Sequence, residues 1–345
     1  MIFILYDRNF KPLGSPYVLE SWRRIQRATD LDDATLIGEK IPTAVEPFVV
    51  SVNDKRGRFL FSGLCSSPSI DEEQNKTTII LKDYRTLWNS ELIIPWSDFK
   101  GSTVGEYLQF LFDLWVTQVD LGWECQILLD ADLLGIDWDF ENVPLGSATE
   151  NCSLSTLLSQ AITYYDLYCV PSLDIQKRTL TYSFRRCSRK TVPLRLLDAG
   201  LSSSEKSFGE FNRVSVYTSD YQKVQEWALT TNNEVTLLPS QGMLVYPAKN
   251  RNFIASENTD NAISEAVYDA VMALAKNRYQ ESIDLSAEQY RSVVDLTVLD
   301  FSFNIDVWTE DGFYRSLPVG EIETDSSGRY IVRLGHRIQE LTQEI

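Results

Sequence analysis

A single histidine, His336, serves a chain of 345 residues. That scarcity excludes every motif needing two histidines, and any Ser-His-Asp or Cys-His site would have to use His336. His336 ends the strand-like stretch Tyr330-Ile-Val-Arg-Leu-Gly-His336, where a structural or surface role is expected. Paired cysteines are also missing. Cys65, Cys125, Cys152, Cys169 and Cys187 are an odd number, far apart, and form no Cys-x-x-Cys. Neither a zinc site nor a redox motif is signalled; reduced, mostly buried thiols are expected, with synthesis in a cytoplasm. The chain has no Gly-x-Ser-x-Gly, P-loop or Gly-x-Gly-x-x-Gly. Glycine (16) and proline (12) are scarce, and no collagen period or low-complexity tract occurs. The apolar run Met1–Tyr6 is too short for a secretory signal, and no stretch approaches the ~20 apolar residues of a membrane helix. A soluble chain without a targeting signal is the expectation.

Positive charge is in deficit as well. Lys and Arg number 32 against 49 Asp and Glu, a formal charge of −17. Proteins that grip duplex DNA gain affinity by setting Lys and Arg against phosphates, so this balance argues against them. Lys177, Arg178, Arg185, Arg186, Arg189 and Lys190 are the best candidates for a local basic patch. They flank the strand-like segment 179–184 and read as the solvated rim of a hairpin.

What the chain does have is material for cores: 43% apolar residues, with 8 Trp, 16 Tyr and 16 Phe. Residues 1–95 read as β structure, with strands at 1–6, 48–52, 58–62 and 77–82 and a turn at Asn53-Asp-Lys-Arg-Gly57. In 96–200, Thr103 followed by Glu106 forms a capping box before Tyr107, Leu108, Leu111, Phe112 and Trp115, an apolar face at helical spacing. Ser153 caps a second helix through Leu154, Leu157, Leu158, Ala161, Ile162 and Tyr165, and 168–175 with 179–184 suggests a hairpin. In 201–345, strands are expected at 211–217 and 224–229, a helix over 261–279, an alternating strand over 299–308 and a final hairpin about Asp325-Ser-Ser-Gly328. The expected class is α+β: two antiparallel β-barrel-like domains, 1–95 and 201–345, frame an α+β middle domain, 96–200. The second β domain carries a helical insertion at about 255–285.

One segment invites a metal reading. In Asp130-Ala-Asp-Leu-Leu-Gly-Ile-Asp-Trp-Asp-Phe-Glu141, Asp130, Asp132, Gly135 and Glu141 fall at positions one, three, six and twelve of an EF-hand loop. Leu134 stands where an oxygen ligand is wanted, Asp137 where an aliphatic residue is usual, and Val143-Pro144 follows where a helix should. The competing reading is an edge strand with Asp137, Asp139 and Glu141 in water and Ile136, Trp138 and Phe140 facing the core. Carboxylates ~5–10 Å apart suffice for glycoside hydrolysis, but among 49 acids no pair stands out. Aromatics could stack on sugars; Trp88, Trp96 and Trp115 lie at core-like positions instead. The residues assign no catalytic, metal or cofactor site.

The order of segments carries a resemblance. It rests on the opening strand Ile2-Phe-Ile-Leu-Tyr-Asp-Arg8 running into Pro12-Leu-Gly14. Next come Phe59-Leu-Phe-Ser-Gly63 and Asp83-Tyr-Arg-Thr-Leu-Trp-Asn89, before the helix capped by Thr103. Phe211-Asn-Arg-Val-Ser-Val-Tyr217 and the strand 225–229 follow, then the Ala-rich helix, the alternating strand and Arg333-Leu-Gly-His-Arg-Ile338. Together these resemble the tail-tip, or baseplate hub, proteins of long-tailed non-contractile phages, the N-terminal hub part of the tail-associated lysin family. That part is itself similar to the central hub of contractile-tailed phages.

The resemblance implies a homotrimer whose two barrels per subunit make a pseudo-sixfold ring in the virion tail tip, assembled in the host cytoplasm. The ring would sit against the distal tail protein, with the tape-measure and receptor-binding proteins as further partners, and would gate a channel through which DNA passes without specific binding. A peptidoglycan-degrading domain often follows in that family; the chain stops at Ile345, so a structural rather than enzymatic role is expected. An acidic channel wall would repel phosphate. The alternatives are a glycan or peptidoglycan hydrolase using a carboxylate pair and a carbohydrate-binding adhesion module.

Overall fold

The computed structural model describes residues 1–28, 31–43, 45–66, 68–95, 98–119, 121–138, 151–187, 190–195, 204–207, 209–230, 235–240, 242–277, 280–286, 296–308 and 314–335. The class is α+β, with many strands and three α-helices among the described residues.

The first β module contains β1 (Ile2–Tyr6), β2 (Tyr17–Arg27), β3 (Asp33–Glu39), β4 (Val49–Asn53), β5 (Phe59–Cys65), β6 (Ser69–Asp71) and β7 (Lys76–Lys82). Six of them pair in the order β1-β4-β5-β7-β3-β2, and β2 returns to β1, with Ile2 opposite Val18, so the ring closes. Alternating inward positions supply its core: Phe3 and Leu5, Leu36, Val50 and Val52, Phe61, Ile79 and Leu81. The β4–β5 turn forms because Asp54 accepts the N–H groups of Arg56 and Arg58 while Gly57 takes φ +77°, which glycine adopts without a Cβ penalty. Strands β2 and β3 were not legible in the sequence. In β2 the register against β3 shifts between Leu19 and Ser21, which breaks the period-2 pattern.

The middle region holds β8 (Glu91–Ile93), α1 (Val104–Gln118), β9 (Glu124–Leu129), β10 (Asn151–Ser153), α2 (Leu154–Tyr165), β11 (Leu167–Asp174) and β12 (Thr179–Arg186). The capping box is formed: Glu106 N–H donates to the Thr103 hydroxyl at 3.2 Å, and the Glu106 carboxylate accepts the Thr103 N–H at 3.1 Å. Backbone donation from Ser102 and Thr103 holds that carboxylate below its usual range. Replacing Thr103 with alanine is expected to cost about 1 kcal/mol, read as a shift in the urea midpoint with unchanged slope. Ser153 behaves differently. Its hydroxyl pairs with that of Ser155 at 2.8 Å and caps no backbone N–H. The expected hairpin is β11–β12, and β9 adds to it in parallel. Helix and sheet bury Trp88, Leu111, Phe112, Trp115, Leu157, Leu158, Tyr182 and Phe184 in one core, which also receives Val49 and Leu64 from the outer face of the first ring.

Beyond it come β13 (Lys190–Arg195) and β14 (Ser204–Ser207), then a separate four-stranded sheet, β17-β16-β15-β18, built from β15 (Arg213–Tyr217), β16 (Lys223–Leu229), β17 (Val235–Leu237) and β18 (Asn250–Ile254). Helix α3 (Asp260–Lys276) packs Val267, Ala270, Val271 and Leu274 on Val214, Val216, Trp227 and Leu229 of this sheet. Its N-cap is Thr259, whose hydroxyl accepts the Ala262 N–H. After the helix expected over 261–279, Gln280–Ser286 forms strand β19.

The second β module joins β13, β14 and β19 to β20 (Phe303–Trp308), β21 (Tyr314–Asp325) and β22 (Tyr330–Leu334), in the order β13-β20-β21-β22-β19-β14. The expected final hairpin is β21–β22, with Gly328 at φ +86°. The alternating strand expected over 299–308 begins only at Phe303. Asp300 accepts the Ser302 N–H at 2.8 Å and turns the chain, although Leu299 and Phe301 keep their buried positions.

Candidate functional site

Among the described residues, those singled out for chemistry do not come together. Asp130 and Asp132 lie at a 3-10 turn, Ala131–Gly135, where Asp130 makes no side-chain cap. Asp137 forms an isolated backbone bridge with Thr103, and Trp138 stacks on Tyr107 at 3.8 Å. The metal reading and the edge-strand reading of 136–141 both run through Asp139 to Glu141, which lie outside the described residues. No group of three His, Cys, Asp or Glu could hold a metal among the described residues.

The basic residues are dispersed. Lys177 and Arg178 sit in the β11–β12 turn, where Lys177 pairs with Asp174, and Arg185 and Arg186 sit at the far end of β12. Seven residues of strand separate Arg178 from Arg185 by about 23 Å. The side chain of Lys190 and all of Arg189 and His336 lie outside the described residues. The thiols are quiet. Burial pushes Cys65 up to about 12 and Cys125 up to about 11, and raises Cys169 and Cys187 well above the ordinary range. A thiol held protonated is a poor nucleophile.

What the structure does assemble is a joint. Strand β2 of the first ring pairs antiparallel with β21 of the second module, Arg23 opposite Asp325 and Arg27 opposite Glu321, so one sheet runs through both. Residues opposed in an antiparallel register share a face. Here that face carries opposite charges. Glu323, 5% exposed, accepts Arg23 Nε at 2.9 Å, a second Arg23 nitrogen at 3.0 Å and Arg333 at 3.1 Å. Glu321 takes Arg27 at 3.1 Å and pairs with Arg333 as well. Arg27 also reaches Asp33 at 2.9 Å and the Leu31 carbonyl at 2.7 Å. Three guanidiniums thus meet three carboxylates in forked, charge-assisted bonds that fix the register between the modules.

The chain crosses the joint physically too. Ala28, just past β2, is buried in the core of the second module beside Leu317, Val319 and Leu334, and its N–H donates to Gly320 at 3.0 Å. Gly320 has no room for a side chain: a Cβ there would stand 2.0 Å from the Gly335 carbonyl oxygen. A few residues on, Asp32 enters a second charge cluster. Arg85, only 3% exposed, donates to Asp83 at 2.7 Å and to Asp32 at 3.0 Å, and the Asp32 N–H donates to Asp83 at 2.9 Å. Tyr182 ties this turn to the middle region by donating its hydroxyl to the Tyr84 carbonyl at 2.8 Å. Sequence reading missed the joint because its partners lie 294 to 300 residues apart. The one local signal is the same-face spacing of Arg23 with Arg27 and of Glu321 with Glu323.

Neither comparison with protein-family models nor comparison with curated proteins finds a match. Solved structures do match over nearly the whole chain. The 43 kDa tail protein of prophage MuSo2 from Shewanella oneidensis is 14% identical, with 98% of each chain covered and a TM-score of 0.54. The chain has a phage tail-protein fold. A prophage tail protein, gp18, from Listeria monocytogenes EGD-e (11% identity, 99% of this chain and 96% of that one, TM-score 0.52) is similar over the same span. So is the tail protein of Neisseria meningitidis MC58 (13% identity, 97% and 96%, TM-score 0.51). In this tail-protein fold the β2–β21 joint runs one sheet through both β modules.

Proposed function

We propose that the chain is a structural subunit of a phage tail tip, a baseplate hub that assembles as a homotrimeric ring on the distal tail protein and gates the DNA exit channel. The observation that carries this reading is the end-to-end match of the whole chain to phage tail proteins. It is supported by the two β modules joined through one sheet, since two such modules in each of three copies supply the six similar units a sixfold tail requires. The net charge of −17 suits a wall past which DNA slides without sticking. Opening then is a rigid-body displacement of subunits about their contacts, with the β2–β21 joint holding each subunit's two modules together. A role without catalysis accords with the buried, protonated thiols. The discriminating experiment is a turbidity assay on bacterial cell walls run beside electron microscopy of tails labelled with an antibody to the chain. Label at the tail tip with no clearing of walls supports the proposal, and wall hydrolysis abolished by changing a carboxylate pair supports the hydrolase instead.

A further inference from the structure

The four-stranded sheet ends in an open edge. In the order β17-β16-β15-β18, strand β18 pairs with β15 alone, in parallel, with Arg213 opposite Asn250 and Tyr217 opposite Ile254. The bonds at the two ends of this pairing fix which way each backbone group points. The Lys249 carbonyl accepts the Arg213 N–H at 3.1 Å, and the Ala255 N–H donates to the Tyr217 carbonyl at 2.9 Å. Residues 249, 251, 253 and 255 therefore turn their backbone groups toward β15. Asn250, Asn252 and Ile254 turn theirs outward, where no strand meets them among the described residues. Natural edges are commonly closed by a proline, a bulge or a covering element. β18 contains no proline, and its register with β15 runs without a shift.

The side chains of this edge are drawn back from it. Arg251 lies over the Phe211 and Phe253 rings, 5.2 and 5.5 Å from their centroids, instead of reaching past the strand. The Asn250 amide donates to Ser215 Oγ at 3.3 Å and to Asn252 Oδ1 at 2.8 Å. The two faces of the strand differ in chemistry. Arg251 and Phe253 stand opposite Val214 and Val216, on the face that packs against α3, and Lys249 continues that face. Asn252 and Ile254 lie on the other face, where Ile254 is 51% exposed. Lys249 and Arg251 are both exposed, and neither pairs with a carboxylate among the described residues. The edge is thus a basic strip on a chain of net charge −17.

We propose that the β18 edge takes up an extended acidic segment of a partner protein as an added strand. Neighbours across a strand pair share a face, so carboxylates of the segment lie beside Lys249 and Arg251 and its apolar residues lie beside Ile254. The segment therefore alternates acidic and apolar residues. Backbone bonds to Asn250, Asn252 and Ile254 supply affinity, and the two cations select the partner. A second copy of the edge is the poorer occupant: it brings another Lys249 and Arg251 to the same ribbon, and β18 offers no carboxylate to meet them.

The test is binding of a blocked peptide of about eight alternating glutamate and valine residues, the length of an ordinary strand, to the full chain. Binding is read by fluorescence anisotropy, and amide hydrogen exchange is followed residue by residue. Saturable binding is expected to slow exchange at Asn252 and Ile254 about tenfold, with little change at Arg251 and Phe253, which already face β15. A lysine–valine peptide is expected not to bind. Asn252→Pro removes an outward N–H and no bond to β15, and is expected to weaken binding about tenfold. Lys249→Glu combined with Arg251→Glu is expected to weaken it about tenfold as well, with folding checked by circular dichroism. If Asn252→Pro does not fold, the charge reversals and the exchange pattern decide. Absence of binding, equal binding of the lysine peptide, unchanged exchange at Asn252 and Ile254, or unweakened folded variants overturn the proposal. Protection of those two N–H groups that grows with the chain's own concentration also overturns it, and gives the edge to a second copy.

Discussion

Arg85→Met is expected to lower the unfolding free energy by about 3–5 kcal/mol at pH 7.5, the cost of breaking a buried ionic cluster. Methionine keeps an unbranched apolar stem but leaves Asp83 and Asp32 facing each other without their cation; the Asp83 side chain is 0% exposed and that of Asp32 17%. Removing one partner of a buried ionic cluster strands the others, which is why the loss exceeds anything a surface pair gives. Two further results follow from the same physics. Adding Asp32→Asn and Asp83→Asn to Arg85→Met should recover a large part of the loss, because neutral amides need no cation. The loss should also shrink toward pH 5. Asp32 is already raised to about 6 by burial and by Asp83, and an aspartate whose folded value lies above 3.8 contributes stability as pH falls through that folded value. Without Arg85 that value rises further, so acid repairs the variant. Urea midpoints at pH 5 and pH 7.5 for the single and triple variants check all three.

Tyr182→Ala is expected to cost about 3–5 kcal/mol, and Tyr182→Phe only about 1 kcal/mol. Tyr182 is fully buried at the centre of an aromatic group, with ring centroids 5.1 Å from Trp88, 5.3 Å from Phe112 and 6.0 Å from Trp115. Phenylalanine keeps that packing and gives up the bond to the Tyr84 carbonyl. Alanine loses both and leaves a cavity between α1 and the β11–β12 hairpin. The ratio of the two losses reports whether the first β module is held to the middle region by packing or by that single hydrogen bond. Near-equal losses would mean that the hydrogen bond carries the contact.

Local patterns told the truth where local physics decides. The Thr103–Glu106 box, the apolar stripe of α1, the Asn53–Gly57 turn and the Asp325–Gly328 hairpin each depend on residues a few positions apart, and each was readable. The α+β class was legible for the same reason. Strand β2 was opaque because a register shift breaks its alternation and because Arg23 and Arg27 look like solvated charges until Glu321 and Glu323 arrive. The start of the strand expected at 299 was displaced by one side chain, Asp300, whose turn interrupts an otherwise regular alternation. The joint shares this character: each charge is unremarkable in sequence, and only a strand pairing across almost the whole chain turns them into a site. Arg85 and Asp83 stood inside a stretch singled out for its resemblance, Asp83-Tyr-Arg-Thr-Leu-Trp-Asn89, but nothing in its spacing announces a buried cation.

The proposed assembly is a ring of three subunits on a tail. It is tested most directly by the solution mass of the chain from light scattering after size exclusion, alone and mixed with the distal tail protein of the same phage. A particle of three times 39.5 kDa is expected, either alone or as three copies gathered by that partner. A chain that stays at 39.5 kDa at all concentrations and ignores the distal tail protein contradicts it.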